Sequence, residues 1–364
     1  MRLLLEHGAD PNSKRKDGKA PLHILFSYLD IYLSINDVTP VVLLLLEHGG
    51  DPNLKGKDDE APLHILFSYL DIYLSINDIL PVVQLLLEHG GDPNSKDKHG
   101  ENLLHILFDY LGGHLSTNDV LPVVQLLLQH GADPNSESKV GATPLYRLLF
   151  SDFHPRNRPT NDVLPVAQLL LEQGADPNLK GKDKEIPLQI LLGGCHRFLS
   201  GHSNYDDDDI LLFVKLLLEH GADANAQDND HKTPLSLAMR YRMPDIVRSL
   251  LEHGADPNLG NYDNKTPLHL LLGLQDFDQD FGYHSDDHIF VVAQLLLEHG
   301  ADVNAQDKSH ETPLLLALRR KAPNITRFLL KHGADPSVGN SEGATSCALL
   351  EGGDDDEGPI CSKH

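Results

Sequence analysis

The sequence predicts an all-α protein built as a solenoid of stacked repeats. A segment of the form LLLEHGADPN begins at Leu3 and recurs eight times with small changes. Its period varies from 33 to 47 residues, and self-similarity on this scale is typical of repeat proteins, whose units bury their apolar faces against one another. The aspartate of each copy marks the period: Asp10, Asp51, Asp92, Asp133, Asp176, Asp223, Asp256, Asp302 and Asp335.

A second recurring segment begins ten residues after six of these aspartates. It reads Ala-Pro-Leu or Thr-Pro-Leu and starts at Ala20, Ala61, Thr143, Thr233, Thr266 and Thr312. TPLH followed by LLLEHGADxN is the pattern of the ankyrin repeat, and the chain resembles that family along nearly all its length. The resemblance implies a β-hairpin finger and two antiparallel helices per repeat. The long insertions and near-identical tandem copies are similar to multi-repeat ankyrin proteins of filamentous fungi.

The repeats predict four parts of the chain. Residues 1–12 are expected to form an N-terminal half repeat, and residues 13–335 an array of eight repeats. A C-terminal half repeat is expected at 336–350, followed by an acidic, disordered tail at 351–364. The 41-residue copies exceed the family norm of about 33 residues, and their extra residues fall between the two helices.

The first full repeat illustrates how the elements are predicted. Helix one is expected to run past Asp30, because leucines continue at helical spacing beyond its proline start. Asn36 and Asp37 are expected to provide the N-cap of helix two, which should extend over Val38–His48. Gly49 should end helix two, because glycine readily adopts the left-handed conformation that follows many helices.

Composition and charge narrow the classes of function. The net charge of −24 disfavours nonspecific binding to nucleic acid or anionic lipid, which requires basic residues. Three cysteines are too few for a disulfide framework and fit a reducing compartment. No apolar run approaches the roughly 18 residues that a membrane-spanning helix needs. We therefore expect a soluble cytoplasmic protein, with the nucleus as the alternative, and neither nucleic acid nor membrane as a partner.

The repeat itself accounts for most of the residues that suggest a metal site. Of twenty-two histidines, eight recur at the end of helix two and four near the start of helix one. The resemblance implies that these twelve are structural and form hydrogen bonds within and between repeats. The asparagine that follows each GADP, as at Asn12, Asn53 and Asn94, is predicted to bond the local backbone of its turn.

Two insertions offer weaker metal patterns. Cys195, His196, His202 and Asp206 lack the tight ligand pairs of a zinc site. The segment 276–287 resembles a calcium loop, but its glycine falls one place late. We expect both to be solvated loops and predict no metal and no cofactor, with a calcium- or metal-binding role as the alternative. No catalytic motif or constellation is present, so the chain is predicted not to be an enzyme.

The fingers are a candidate partner-binding surface. Basic residues recur in the first five fingers, whereas later fingers are neutral or acidic. This row predicts binding to a partner with an acidic segment; the alternative is that the tips are simply solvated. The residues are Lys14, Arg15, Lys16, Lys55, Lys57, Lys96, Lys98, Lys139, Lys180, Lys182 and Lys184.

Aromatic residues suggest a second candidate surface. Tyr28, Tyr69 and Tyr110 occupy equivalent places in the first three repeats, and equivalent positions of stacked repeats lie side by side. These rings either pack the inserted segments against one another or form the centre of a docking groove, since tyrosine is enriched where partners bind.

Taken together, these features predict a non-enzymatic scaffold or adaptor that binds another protein on the concave surface formed by fingers and first helices. The alternative within the same class is a coregulator of transcription or signalling, for example in a fungal pathway or a biosynthetic gene cluster. The partner itself is not encoded in any motif of the chain.

Overall fold

The computed structural model describes residues 2–29, 34–56, 59–68, 76–111, 117–152, 163–181, 184–194, 207–273, 286–341 and 345–346. Within these ranges the protein consists of seventeen α-helices and contains no β-strand. The all-α fold class predicted from the sequence is confirmed.

The chain divides into two compact units, Met1–Lys182 with Arg197–Phe213, and Asp183–His196 with Val214–His364. The helices of the first unit are α1 (Arg2–Glu6), α2 (Pro21–Ser27), α3 (Ile35–Glu47), α4 (Pro62–Ser68), α5 (Ile76–Glu88), α6 (Leu103–Leu111), α7 (Thr117–Gln129), α8 (Pro144–Asp152) and α9 (Leu164–Glu172). Those of the second are α10 (Pro187–Gly194), α12 (Pro234–Arg240), α13 (Pro244–Glu252), α14 (Pro267–Gly273), α15 (Asp286–Glu298), α16 (Pro313–Arg319) and α17 (Pro323–Lys331). Helix α11 (Asp207–Glu219) contributes residues to both units.

In the first unit, equivalent helices of successive repeats pack side by side. The first helices α2, α4, α6 and α8 contact one another in that order, as do the second helices α3, α5, α7 and α9. Each second helix buries one equivalent leucine completely: Leu45, Leu86, Leu127 and Leu170. Since these side chains are covered by neighbouring helices, each repeat completes its core only with the repeats beside it.

The second unit follows the same rule. Its first helices α10, α12, α14 and α16 pack in sequence, and its second helices α13, α15 and α17 form the other layer. The equivalent leucines Leu250, Leu296 and Leu329 are again fully buried. The periodic leucines seen in the sequence therefore form the core of each unit.

The first helix of the first full repeat is shorter than predicted. Helix α2 ends at Ser27, and Tyr28 caps it with φ −111°. The N–H groups of Tyr28 and Leu29 donate to carbonyls three residues earlier, at 3.3 and 3.2 Å, which tightens the last turn. The prediction that this helix runs past Asp30 is wrong, because α2 ends at Ser27 and Tyr28 already has a non-helical backbone conformation; Asp30 itself lies outside the described residues.

The second helix of this repeat begins earlier than predicted. Its N-cap is Ser34, whose hydroxyl oxygen accepts a hydrogen bond from Asp37 N–H at 3.3 Å and donates to the Asp37 carboxylate at 2.9 Å. The predicted N-cap at Asn36 and Asp37 is therefore wrong, since both lie in the first turn of α3. The predicted end is confirmed, because Gly49 adopts φ 87° directly after the helix.

The proposed repeat boundaries at 1–12, 13–335, 336–350 and 351–364 stay a prediction. Helix α1 lies in the first range, with Leu3 and Leu4 exposed by 71% and 64%. The tail at 351–364 lies outside the described residues.

Candidate protein-binding surface

The fingers that are described in full are hydrogen-bonded turns between the second helix of one repeat and the first helix of the next. In the first finger, Arg15 N–H donates to the Lys19 carbonyl at 3.0 Å and Gly18 N–H donates to the Arg15 carbonyl at 2.9 Å. The seventh finger repeats this pattern, with Asn261 N–H donating to Lys265 at 3.1 Å. The fingers expected from the sequence are thus present as closed turns.

Three lysines of the predicted basic row link neighbouring fingers. The Lys14 ammonium donates to the Lys55 carbonyl at 2.9 Å, Lys55 donates to Lys96 at 2.8 Å, and Lys96 donates to Glu137 at 2.8 Å. This role does not follow from the charge of the three lysines, although their equal spacing is a signal for it. An ammonium has three donors, so each exposed lysine keeps its charge and further donors for a partner.

The other residues of the basic row differ in their surroundings. Arg15 and Lys16 are exposed at the tip of the first finger. The Lys98 carbonyl accepts a hydrogen bond from the Lys139 ammonium at 2.6 Å. Lys57 lies outside the described residues. The structure therefore places several cations along the first-unit fingers, and their use in binding stays a prediction.

The tyrosine row is described only at its two ends. Tyr28 is 46% exposed at the end of α2, and Tyr110 is half-buried on α6. Tyr69 lies outside the described residues, so the described part of the chain does not bring the three rings together. Two roles stay predictions for these rings: packing against the insertions, or contact with a partner.

The asparagines at the base of the fingers connect repeats. Asn94 donates from Nδ2 to the Gly131 carbonyl at 2.7 Å, and its Oδ1 accepts from Asp133 N–H at 2.7 Å. The same pair of bonds is made by Asn12, Asn53, Asn135, Asn225, Asn258 and Asn304. The prediction that these side chains bond their own turn is wrong, because the preceding aspartate already serves the local backbone.

The histidines near the start of the first helices also connect repeats. His105 Nε2 donates to the Ala142 carbonyl at 2.9 Å, and His269 Nε2 donates to Glu311 at 2.9 Å. Burial disfavours the imidazolium form, so the pKa is lowered at His23, His64 and His269, and at His105 to about 4.

In the fifth repeat Gln189 takes the place of this histidine. Its Nε2 group donates to the Lys232 carbonyl at 2.8 Å, and Lys232 directly precedes the Thr-Pro-Leu segment of the next repeat, as Ala142 does for His105. A neutral amide therefore fulfils the same structural role as the neutral imidazole.

The eight histidines at the ends of the second helices have a local role. In each, Nδ1 bonds the carbonyl four residues earlier, as in His89 to Leu85 at 2.8 Å. The structural role predicted for these eight residues, and for His23, His105 and His269, is confirmed. These imidazoles thus form hydrogen bonds to backbone carbonyls within the repeats or between them.

The second unit carries a finger-tip tyrosine that the sequence analysis did not select. Tyr262 is 70% exposed, yet its ring lies between two neighbouring fingers. The Lys308 ammonium lies 3.8 Å from the ring centroid, and the His231 ring centroid is 6.0 Å away. Lys308 N–H also donates to the Asp263 carbonyl at 2.9 Å, which fixes the two fingers together. In the sequence, an aromatic residue at the tip of a turn is the feature that could have indicated this candidate contact.

A groove lies beside this tip, between the sixth finger and the first helices of the second unit. Its volume is about 250 Å³. His231 and Asn261 line its rim, while Leu237, Met239 and Leu270 provide apolar walls. A groove with apolar walls and a polar rim, next to a held aromatic ring, fits a side chain of a protein partner.

The two insertions with weak metal patterns fall largely outside the described residues. Cys195, His196, His202 and Asp206 lie outside the described residues, as does the segment 276–285. Among the residues that are described, no group of three or more histidine, cysteine or acidic side chains is arranged to hold a metal ion. In the same part of the chain, no helix is long and apolar enough to cross a bilayer.

Comparison with known proteins identifies the repeat. Family models described as ankyrin repeats match residues 99–139, 159–261, 203–276, 263–308 and 296–347, which is more than half of the chain. Among solved structures, the chain is similar to the ankyrin repeat domain of Bcl-3, described as a unique member of the IkappaB protein family. Identity is 24% and the TM-score 0.52, over 76% of this chain and 100% of that one. This likeness concerns the fold. No curated protein matched.

Proposed function

Because this chain belongs to the ankyrin repeat family, whose fold is an interaction domain, we propose that it is a non-enzymatic scaffold or adaptor. Its fingers and first helices receive a protein partner. A coregulator of transcription or signalling is one form of such an adaptor. We place the protein in the cytoplasm or nucleus as part of the same proposal.

Tyr262 is the observation that carries the proposal. A ring that is 70% exposed and contacts both Lys308 and His231 loses little conformational freedom when a partner covers it. Ordered aromatic side chains of this kind contribute strongly to binding, because their large surface is desolvated at a low entropic cost. The neighbouring groove with Leu237 and Met239 extends this surface from the finger tip to α12.

The basic row of the first unit is a second proposed binding surface, considered by itself. Lys14, Lys55 and Lys96 hold the fingers in register and keep their charges exposed. Together with Arg15, Lys16, Lys57 and Lys98 they would attract an acidic segment of the partner, mainly by raising its association rate. Tyr28, Tyr69 and Tyr110 are retained as further candidate contacts of the partner.

A photo-crosslinking amino acid placed at Tyr262 tests the proposed function. The matched control carries the same group at Leu43, an exposed residue on the second helix α3. In extracts of cells that express the protein, we expect the Tyr262 variant to capture one defined protein, identified by mass spectrometry. The Leu43 variant should not capture it. Adding Lys308→Ala should reduce capture, because the cation no longer holds the aromatic group in place.

Two results would contradict the proposal. Capture of the same set of proteins from both positions would mean that Tyr262 is only an exposed residue. Absence of any crosslink at Tyr262 in extracts where the protein is abundant would remove the finger tip from the binding surface.

A further inference from the structure

The two helices of the last described repeat, with the residues that join them, differ in charge from the rest of the chain. Residues 312–334 contain Arg319, Arg320, Lys321, Arg327 and Lys331 but no acidic residue, although the whole chain has a net charge of −24. Every other second helix ends in glutamate or glutamine, whereas α17 ends in Lys331. At its last residue, α17 therefore presents positive charge where the other second helices are neutral or negative.

A groove of about 380 Å³ lies between α15 and α17, on the second-helix side of the second unit. Phe290 and Phe328 line it, with their ring centroids 4.7 Å apart, and Phe290 is 37% exposed. Arg327 and Lys331 stand on its rim four residues apart, hence on one face of α17. Within the described residues neither of these two cations forms an ion pair.

We propose that this groove is a docking site for an acidic peptide segment of a partner protein, with an aromatic or leucine side chain seated on Phe290 and Phe328. Carboxylates of the segment pair with Arg327 and Lys331, while the apolar side chain covers the rings. The site lies between two second helices and does not include Tyr262. It is therefore separate from the function proposed above.

The charge distribution favours a short acidic segment over an extended polyanion. Asp287 lies on the rim of the same groove and Glu298 ends α15, so positive charge is confined to one side. A nucleic acid or a membrane surface would meet these carboxylates and the strongly negative remainder of the chain. A peptide can place its acidic residues beside α17 alone.

The test uses the full chain and a fluorescent peptide in which glutamates flank a central phenylalanine. We expect binding by fluorescence anisotropy that weakens about tenfold or more in Lys331→Glu, since reversing a contacting charge replaces attraction by repulsion. This substitution installs the residue type that ends most other second helices. Arg248→Glu, the same change on α13, and Tyr262→Ala should both leave peptide affinity unchanged. Thermal melts should show that the variants remain folded.

Variants of the probe separate the contributions of charge and ring. Replacing the glutamates by glutamines, or the central phenylalanine by serine, should each weaken binding. Equal affinity of the peptide for the wild-type protein and Lys331→Glu would overturn the proposal. So would Lys331-dependent binding of phosphatidylserine vesicles, of a single-stranded oligonucleotide or of a second copy of the chain, if the peptide does not bind.

Discussion

Replacing Asn94 by alanine is expected to lower the free energy of unfolding by about 1–2 kcal/mol, because two hydrogen bonds to backbone groups of the next repeat are lost. Asn94 bonds the Gly131 carbonyl and Asp133 N–H of the following repeat, both at 2.7 Å. In a repeat array, stability depends on the contacts between neighbours as well as on each unit. The loss should therefore reach beyond one turn and appear in urea unfolding followed by circular dichroism.

Asn94→Asp is the matched variant. It keeps an acceptor for Asp133 N–H but removes the donor to Gly131. Where the finger base tolerates the added charge, Asn94→Asp should lower the free energy of unfolding no more than Asn94→Ala does. A change of less than about 0.5 kcal/mol in Asn94→Ala, which is the range of ordinary surface substitutions, would show that these bonds do not stabilise the array.

His105→Gln is expected to make the protein more resistant to acid. The pKa of His105 is lowered by burial from 6.5 to about 4 in the folded state, so the unfolded state binds the proton more readily. The stability that comes from keeping His105 neutral is fully present above pH 6.5. It is lost as the pH falls towards 4, because the unfolded state then binds the proton and the folded state does not. Between pH 7 and 4.5 the wild-type protein should lose about 2–3 kcal/mol at this residue, given about 1.4 kcal/mol per pKa unit.

The glutamine variant separates the hydrogen bond from the titration. Gln189 makes the equivalent bond to Lys232 in the fifth repeat, so glutamine at 105 should retain the bond to Ala142. His23, His64 and His269 remain in both proteins and cancel in the comparison. At pH 7 the two proteins should differ little, and at pH 4.5 the variant should be the more stable in urea unfolding. Identical pH dependence of the two would contradict a buried neutral His105.

The sequence was sufficient for the fold because the repeat and its periodic leucines are local patterns. Helix ends were less predictable: Ser34 was overlooked as an N-cap because Asn36 and Asp37 are equally good capping residues. Only the hydrogen bond from Asp37 N–H to Ser34 distinguishes them. The bonds made by Asn94 and Lys55 join residues about one repeat apart, and such pairings become visible only when the repeats are stacked.

The candidate site was predicted less well for the same reason. The basic row was selected by charge, yet Lys14, Lys55 and Lys96 also hold fingers together. Tyr262 was passed over because its finger carries little charge, and its significance depends on Lys308 and His231 from the adjacent fingers. Tyr69 and most residues of the insertions lie outside the described part of the chain, and the expectations for them stay predictions.

Hydrogen exchange of the full chain, free and bound to the protein captured at Tyr262, tests the central claim most directly. If the fingers and first helices form the binding surface, exchange should slow at residues 227–240 and 261–270, where the sixth and seventh fingers lead into α12 and α14. Exchange on the outer surface of α13 should remain unchanged. Slower exchange confined to the second helices, with residues 227–240 and 261–270 unaffected, would contradict the account.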